Sequence, residues 1–246
     1  MRALVSRGRP VSLVGLIARN RLALSGAVLA VLLTAMAVLA GVISPYDPMA
    51  VDVMAALRAP SVKHLFGTDR FGRDLLTRVI YGARVSLGIA FASVAAAMVV
   101  GSVLGLFAAY VGRSWDTVLG RVMDVLFSFP LLLLAIAIVG MLGPGIPNAI
   151  IAITIVYTPF FFRVARGPML AEREKEYVHA AKAVGAGNAR ILWRHLLPNL
   201  LSPIVVQASV TIAYAILTEA SLSYLGLGTP LLTPSWGTTL NEGRTY

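Results

Sequence analysis

The sequence predicts an all-α protein that crosses a membrane several times. Of its 246 residues, 58% are hydrophobic and 13% are charged, whereas an ordinary soluble domain has about 25% charged residues. Five predominantly apolar runs approach or exceed the length of about 20 residues that a membrane-crossing helix needs. These runs lie at residues 22–43, 85–111, 123–142, 148–164 and 203–228. The predicted fold class is therefore a polytopic α-helical membrane protein.

The first run follows a basic N-terminal segment, residues 1–21. A cleaved signal peptide has an apolar region of about 7–15 residues, and this longer run is able to span a bilayer. We therefore interpret residues 22–43 as a retained transmembrane anchor. A segment at 44–84, rich in Gly, Asp and Arg, separates this anchor from a core domain at 85–246.

The third and fourth runs are separated only by the sequence LGPGIPN. Its Gly and Pro residues cannot continue a helix, so they predict a tight turn between two spans. The fourth run is the shortest of the five and contains Pro159.

Most Lys and Arg residues lie in alternate segments between the runs. Because positively charged segments are retained in the cytoplasm, this distribution predicts a cytoplasmic N-terminus and an extracytoplasmic segment at 44–84. Five spans then place the C-terminus outside, after a polar segment that ends at Tyr246. We expect five visible transmembrane helices and a sixth that is missing at the C-terminus.

A charged, water-soluble stretch forms the centre of a cytoplasmic loop at 165–202, between the fourth and fifth runs. Its first part, residues 169–184, has small or apolar residues on one helical face and charged residues on the others. The residues of the small face are Tyr177, Ala180 or Ala181, and Val184. This pattern predicts a short amphipathic helix.

The second part of the loop begins with Gly185 and Gly187, which favour a helix end. Asn188 is a suitable N-cap for a second short helix, which Pro198 is expected to end at Leu197. The loop is thus predicted to be a helix pair. A pair docked on a partner and a pair lying on lipid headgroups both fit this pattern.

The loop resembles the EAA loop of ATP-binding-cassette (ABC) importer permeases. In that family Glu-Ala-Ala is followed after three residues by Gly, and after nine more by Ile-x-Leu-Pro. The matching positions here are His179, Ala180, Ala181, Gly185, His195, Leu197 and Pro198. The chain departs from the family pattern at His179, which replaces Glu, and at His195, which replaces Ile. Glu176 lies one helical turn before His179 and offers a nearby carboxylate.

Other segments are similar to the peptide-importer branch of the same permeases. They are SPYDP, HLFGTDRFGRDLLTRVIYGARVSL, DVLFSFP, LTEASLSYLGLG and PSWGTTLNEGR. The resemblance implies the type I ABC importer permease fold and one inner-membrane permease subunit for dipeptides or oligopeptides. It also implies a second homologous permease, two ATPase subunits and an extracytoplasmic substrate-binding protein as partners. The residues it assigns to ATPase coupling are Glu176, Tyr177, His179, Ala180, Ala181, Val184, Gly185, Leu197 and Pro198.

The sequence offers no catalytic chemistry of its own. ATP phosphates need a glycine-rich loop followed by Lys, and no GxxxxGK[ST] motif is present. The three His residues lack the spacing of a metal site, cysteine is absent, and no GxSxG nucleophile motif occurs. We expect no catalytic residue, metal or cofactor in this chain, with ATP and Mg²⁺ held by the partner subunits. No nucleic-acid motif accompanies the basic residues, so their partners are expected to be proteins and membrane lipid.

Two features within the runs need an explanation. Glu219 is a carboxylate in the fifth run, which predicts either a residue of the translocation pathway or a hydrogen-bonded packing residue. In the second run, small residues recur every four positions, at Ala97, Gly101, Gly105 and Ala109. Such a ridge permits close helix packing, and we favour packing within the chain over packing between subunits.

Three alternatives to peptide import stay open at this stage, one of them a membrane scaffold that transports nothing and would show no substrate-stimulated ATPase activity. The same machinery serves other cargoes in the family, such as nickel or a chelate. A transporter driven by an ion gradient is a different class, and it would require ionisable residues in several spans.

Overall fold

The structure, a computed structural model, describes residues 20–191, 194, 196–230 and 232–244. Ten α-helices are assigned within these residues, and the all-α prediction is confirmed. They are α1 (Arg21–Val38), α2 (Ala40–Ile43), α3 (Leu75–Val111), α4 (Arg113–Phe127), α5 (Leu131–Leu142), α6 (Ile146–Glu172), α7 (Glu176–Ala183), α8 (Asn188–Ile191), α9 (Leu197–Tyr224) and α10 (Trp236–Gly243).

Four of the helices, α1, α3, α6 and α9, are long and apolar enough to cross a membrane. The predicted third span is the exception, because the chain bends by 94° between α4 and α5. Pro130 cannot continue the helical hydrogen-bond pattern, and the Ser128 hydroxyl donates to the Val125 carbonyl at 2.7 Å where α4 ends. The prediction of one continuous helix over 123–142 is therefore wrong. The fourth span is longer than predicted, since α6 continues through Pro159 and Pro168.

The core of the molecule is the contact between α3 and α6. Gly101 lies against Thr158 and Gly105 against Phe162, so the two helices run in the same direction. A Cβ atom at either glycine would overlap a backbone carbonyl oxygen of α6. Close backbone approach of this kind is the reason for small residues on membrane helices. The prediction that the small-residue ridge packs within the chain is confirmed.

The N-terminal end of α3 carries a folded cap made by residues 44–74. The Asp74 carboxylate accepts from the Thr77 backbone N–H at 2.8 Å and so begins α3 at Leu75, inside the segment predicted as 44–84. The imidazole Nδ1 of His64 lies 3.0 Å from the same carboxylate. Tyr46 stacks on the His64 ring at 5.0 Å between centroids. The cap is therefore attached to α3 by specific contacts.

A buried charge cluster joins this cap to the C-terminal part of the chain. It consists of Asp69, Arg73, Arg78 and Glu242, each no more than 8% exposed. One oxygen of Glu242 accepts from Arg73 at 2.8 Å and from Arg78 at 3.0 Å, and Asp69 accepts from Arg73 Nε at 2.6 Å. The two carboxylates neutralise the two guanidinium groups, which makes their burial tolerable.

The helix α10 packs against both α3 and α9. The Trp236 indole donates to the Val79 carbonyl at 3.2 Å, and the Trp236 backbone N–H donates to the Ser86 hydroxyl at 3.2 Å. On the other side, Gly237 lies so close to α9 that a Cβ would overlap the Ala220 carbonyl oxygen. These contacts place Glu242 beside Arg73 and Arg78.

Candidate coupling site and translocation residues

The candidate coupling site begins at Glu172, the last residue of α6. One carboxylate oxygen of Glu172 accepts from Lys175 Nζ at 2.6 Å, and the other accepts from the Tyr177 hydroxyl at 2.7 Å. This carboxylate therefore bridges the turn between α6 and α7. The hydrogen bond to Glu172 raises the pKa of the Lys175 ammonium. Lost hydration, together with the hydrogen bond to Glu172, raises the pKa of the Tyr177 phenol.

This turn corrects the expectation of one helix over residues 169–184. Residues 173–175 are not helical, and the chain is divided into the long helix α6 and the short helix α7. The hydrogen bonds of the Glu172 side chain replace helical contacts across the turn. The spacing of apolar residues does not detect such a break, because small residues continue on both sides of it.

Arg173 connects the turn to α3. Its Nη1 atom donates to the Ala109 carbonyl at 2.6 Å, and its Nε atom lies 2.9 Å from the Glu174 carboxylate. Ala109 belongs to the last turn of α3, where helix carbonyls lack internal partners and a positive charge is favourable. The start of the predicted coupling segment is thus attached to the ends of two spanning helices, α3 and α6.

The inner face of α7 is built around Val178, which the sequence analysis missed. Val178 is 1% exposed and belongs to the same buried cluster as Ile191 and Leu196. Ala181 is half-buried against this cluster, whereas Tyr177 and Val184 are exposed. The sequence did contain a signal for this buried face. Val178 and Ala181 are three residues apart and therefore lie on the same side of α7, which faces the apolar residues of the following segment.

The structure places the nine predicted coupling residues in α7, the following turn and the start of α9. Exposed among them are Glu176, Tyr177, His179, Ala180, Val184, Gly185 and Pro198, while Ala181 and Leu197 are half-buried. Gly185 has a φ of 81°, the left-handed conformation that favours glycine at a helix end. His195 lies outside the described residues.

Two predictions about this segment need further comment. Pro198 does not end the second helix; it lies in the first turn of α9, where a missing N–H is tolerated. His179 lines a cavity of about 400 Å³ with Tyr110 of α3 and with Arg173. The position that departs from the family pattern therefore faces the space between the helix pair and α3.

Glu219 is completely buried in α9. Its Oε1 atom accepts from the Ser223 hydroxyl at 2.7 Å and from the Thr229 hydroxyl at 3.2 Å. Its Oε2 atom is also buried and has no hydrogen-bond partner among the described residues. The preceding residue, Thr218, connects α9 to α6 through a 2.9 Å hydrogen bond with Tyr157. These contacts match the packing alternative within this chain, and the assignment to a pathway stays a prediction.

Comparison with known proteins gives two family matches that together cover most of the chain. The family described as "Binding-protein-dependent transport system inner membrane component" matches residues 101–245. The chain belongs to this family. A second family, the N-terminal transmembrane domain of oligopeptide transport permease C, matches residues 16–60.

Individual relatives agree with this assignment of the permease. The dipeptide transport system permease protein DppC of Alkalihalophilus pseudofirmus is 43% identical over 228 residues, which are 93% of this chain and 75% of that protein. The glutathione transport system permease protein GsiD of Escherichia coli is 42% identical over 227 residues, 92% of this chain and 75% of that protein.

A solved structure supports the fold of the permease. The inward-facing methionine ABC transporter MetNI matches with a TM-score of 0.53 and 24% identity, over 64% of this chain and 77% of that chain. The predicted type I ABC importer permease fold is confirmed. With its apolar helices and this family membership, the permease is a multi-pass protein of the inner membrane.

Proposed function

We propose that this permease is one of two homologous subunits that form the translocation pathway of an ATP-driven importer for dipeptides or oligopeptides. Two ATPase subunits and an extracytoplasmic substrate-binding protein complete the proposed complex. The names of the relatives DppC and GsiD support a peptide cargo, because both describe transport of short peptides. The name of the matched family supports dependence on a binding protein.

The observation that carries the proposal is the attachment of α7. Its inner side is held by buried Val178, and the turn before it is held by Glu172 and Arg173. Its outer side, with Glu176 and Ala180, is exposed. A helix with one face anchored in the protein and the other free is suited to transmit the movement of a docked subunit.

The proposed mechanism takes its energy from outside this chain. ATP and Mg²⁺ would bind to the ATPase subunits, and their closure would move α7 together with the ends of α3 and α6. A partner shifts a conformational equilibrium only through contacts that differ between the two states. The exposed face of α7 and the turn at Gly185 would supply those contacts. In the proposed orientation the N-terminus and this segment are cytoplasmic, while the cap at 44–74 faces the binding protein.

Glu219 is the intramembrane residue proposed to face the pathway. A buried carboxylate oxygen without a partner is costly unless a ligand or another subunit contacts it during the cycle. Glu219→Gln should then change the transport of positively charged peptides more than that of neutral ones. Equal transport of both peptide classes would assign Glu219 to packing alone.

Transport by the complete complex tests the proposed function. The permease would be purified with its native partners and reconstituted in vesicles with the binding protein and a labelled dipeptide. We expect ATP-dependent uptake and an ATPase rate that rises with the loaded binding protein. A complex without ATPase, or uptake driven by a proton gradient alone, would contradict the proposal. If the complex took up nickel in place of the dipeptide, the proposed ATP-driven importer would stand, but its cargo would be nickel.

Gly185 allows a sharper test of coupling. Gly185→Val introduces a β-branched side chain at a positive φ, where the strain is of the order of 1–3 kcal/mol. We expect the complex to assemble in the membrane while transport per ATP hydrolysed falls several-fold. Gly187→Val is the matched control, because Gly187 is also exposed in open space without a positive φ. Unchanged transport per ATP hydrolysed in Gly185→Val, or an equal loss in both variants, would contradict the proposed role of this turn in ATPase coupling.

A further inference from the structure

The helix α4 has an orientation that its sequence did not predict. It bends by 94° away from the axis of α5, whereas α5 packs alongside α6. A continuous span would keep these two segments in line. If α5 follows the direction of the spanning helices, α4 runs across their ends.

The contacts between α4 and α6 fix the depth of α4 relative to the hydrocarbon layer of the membrane. The Asp116 carboxylate accepts two hydrogen bonds from Arg166, at 2.5 Å and 2.7 Å. Farther along, Asp124 accepts from Arg163 at 2.8 Å. The apolar part of α6 ends at Phe162, directly before these arginines. The helix α4 therefore lies where α6 leaves the hydrocarbon layer.

Two apolar faces are present on α4. The inner face packs Met123 against Ala108 of α3 and Phe162 of α6. The outer face is a stripe at helical spacing whose side chains are each between 48% and 60% exposed. It consists of Trp115, Val118, Val122 and Val125. A tryptophan at one end of such a stripe is typical of a membrane interface.

The charges around α4 are predominantly positive. Arg121 is exposed and makes no hydrogen bond or ion pair with another described residue. Asp116 and Asp124 are already paired with Arg166 and Arg163. Three arginines, Arg121, Arg163 and Arg166, thus accompany two aspartates among the described side chains of this region. An uncompensated positive surface beside an apolar stripe is the combination that interfacial helices use to bind anionic lipid.

We propose that α4 is an interfacial helix that lies in the plane of the leaflet where α3 ends, and that it binds the anionic lipid surface of that leaflet. Trp115, Val118, Val122 and Val125 enter the acyl boundary, and Arg121 contacts lipid phosphates. The proposal does not depend on the cargo or on ATPase coupling, so it can fail while the proposed function holds. In the proposed orientation this leaflet is the cytoplasmic one.

Depth measurements on the complete complex in vesicles test this placement. The chain has no cysteine, so a single spin label can be introduced by Val118→Cys or by Val125→Cys. Accessibility to oxygen and to a water-soluble nickel chelate then gives the depth of each label. An in-plane helix places both labels at the same depth, whereas a spanning helix separates them by about 10 Å, from a rise of 1.5 Å per residue. A 10 Å separation would overturn the proposal. Labels shielded from both reagents would show a protein partner on this face and would also overturn it.

The role of lipid charge has its own measurement. The label at position 118 is compared in vesicles of phosphatidylcholine with and without phosphatidylglycerol. We expect it to lie deeper when phosphatidylglycerol is present, and Arg121→Gln should abolish this shift. Arg84→Gln removes the same charge from an exposed position on α3, nearer its other end, and should retain the shift. A depth that does not respond to phosphatidylglycerol would contradict binding to anionic lipid.

Discussion

The two ends of the permease use charged residues in opposite ways. At the N-terminal end of α3, the charge cluster of Asp69, Arg73, Arg78 and Glu242 is buried and joins segments more than 160 residues apart in the sequence. At the C-terminal end, the pairs around Glu172 and Arg173 join near neighbours, and most of these side chains are partly exposed. The ion pairs of the first arrangement fix tertiary structure, whereas those of the second stabilise a local turn, which a separate hydrogen bond from Arg173 to the Ala109 carbonyl attaches to α3.

This difference follows from the energetics of ion pairs. Removal of one member of a buried pair leaves an uncompensated charge, which costs about 3–5 kcal/mol, whereas an exposed pair contributes about 0–1 kcal/mol. The cap end is therefore expected to resist local change. The predicted coupling end can exchange its contacts with water at little cost, as the proposed docking of a partner subunit requires.

The largest predicted effect is at the charge cluster. Glu242→Leu leaves Arg73 and Arg78 with Asp69 as their only carboxylate in the cluster, and we expect a loss of about 3–5 kcal/mol of unfolding free energy. Thermal unfolding of the purified permease in detergent measures this loss. An unchanged melting temperature would show that the cluster does not fix the cap, and the contrast between the two ends would disappear.

An intermediate effect is expected at the contact of α3 and α6, between the two ends. Gly101→Ala puts a Cβ into a backbone carbonyl of α6, and overpacking of this kind costs about 1–3 kcal/mol. Gly88→Ala, on the same helix in open space, is the control and should be neutral or slightly stabilising. The same melting experiment compares the two variants. Equal behaviour would mean that α3 and α6 separate easily.

The smallest predicted effect is at the coupling end. Glu174→Gln removes the carboxylate that pairs with Arg173 at 2.9 Å while 64% of the Glu174 side chain is exposed. We expect a change of less than about 1 kcal/mol, because exposed ion pairs contribute little. Arg173 retains its hydrogen bond to the Ala109 carbonyl. A loss as large as that of Glu242→Leu would remove the proposed difference between the ends.

Local features of the sequence predicted much of the architecture. The apolar runs located the spans, and LGPGIPN located the turn where Gly143 and Gly145 adopt positive φ. The resemblance selected the nine residues predicted to couple to an ATPase, and the structure groups them in α7, the following turn and the start of α9. Each of these features depends on residues that are close together in the chain. A short stretch of sequence therefore contains all the residues needed to predict it.

Other features depended on distant residues and could not be predicted. Nothing near Arg73 or Arg78 indicates that Glu242 is their partner, because this contact exists only after α10 packs on α3. The bend before Pro130 has a local cause instead, but the largely apolar residues on both sides of the proline led to the prediction of a single span. Val178 was overlooked because its burial depends on Ile191 and Leu196, which belong to the following segment.

The length of α3 has a consequence for the timescale of movement in the permease. Its 37 residues span about 55 Å, nearly twice the thickness of the hydrocarbon core. One uninterrupted helix therefore bears the cap at one end and the carbonyl that holds Arg173 at the other. Rearrangements on the two sides of the membrane should not proceed independently at nanosecond rates, as separate loops do. They should share a single relaxation in the microsecond-to-millisecond range of collective motions.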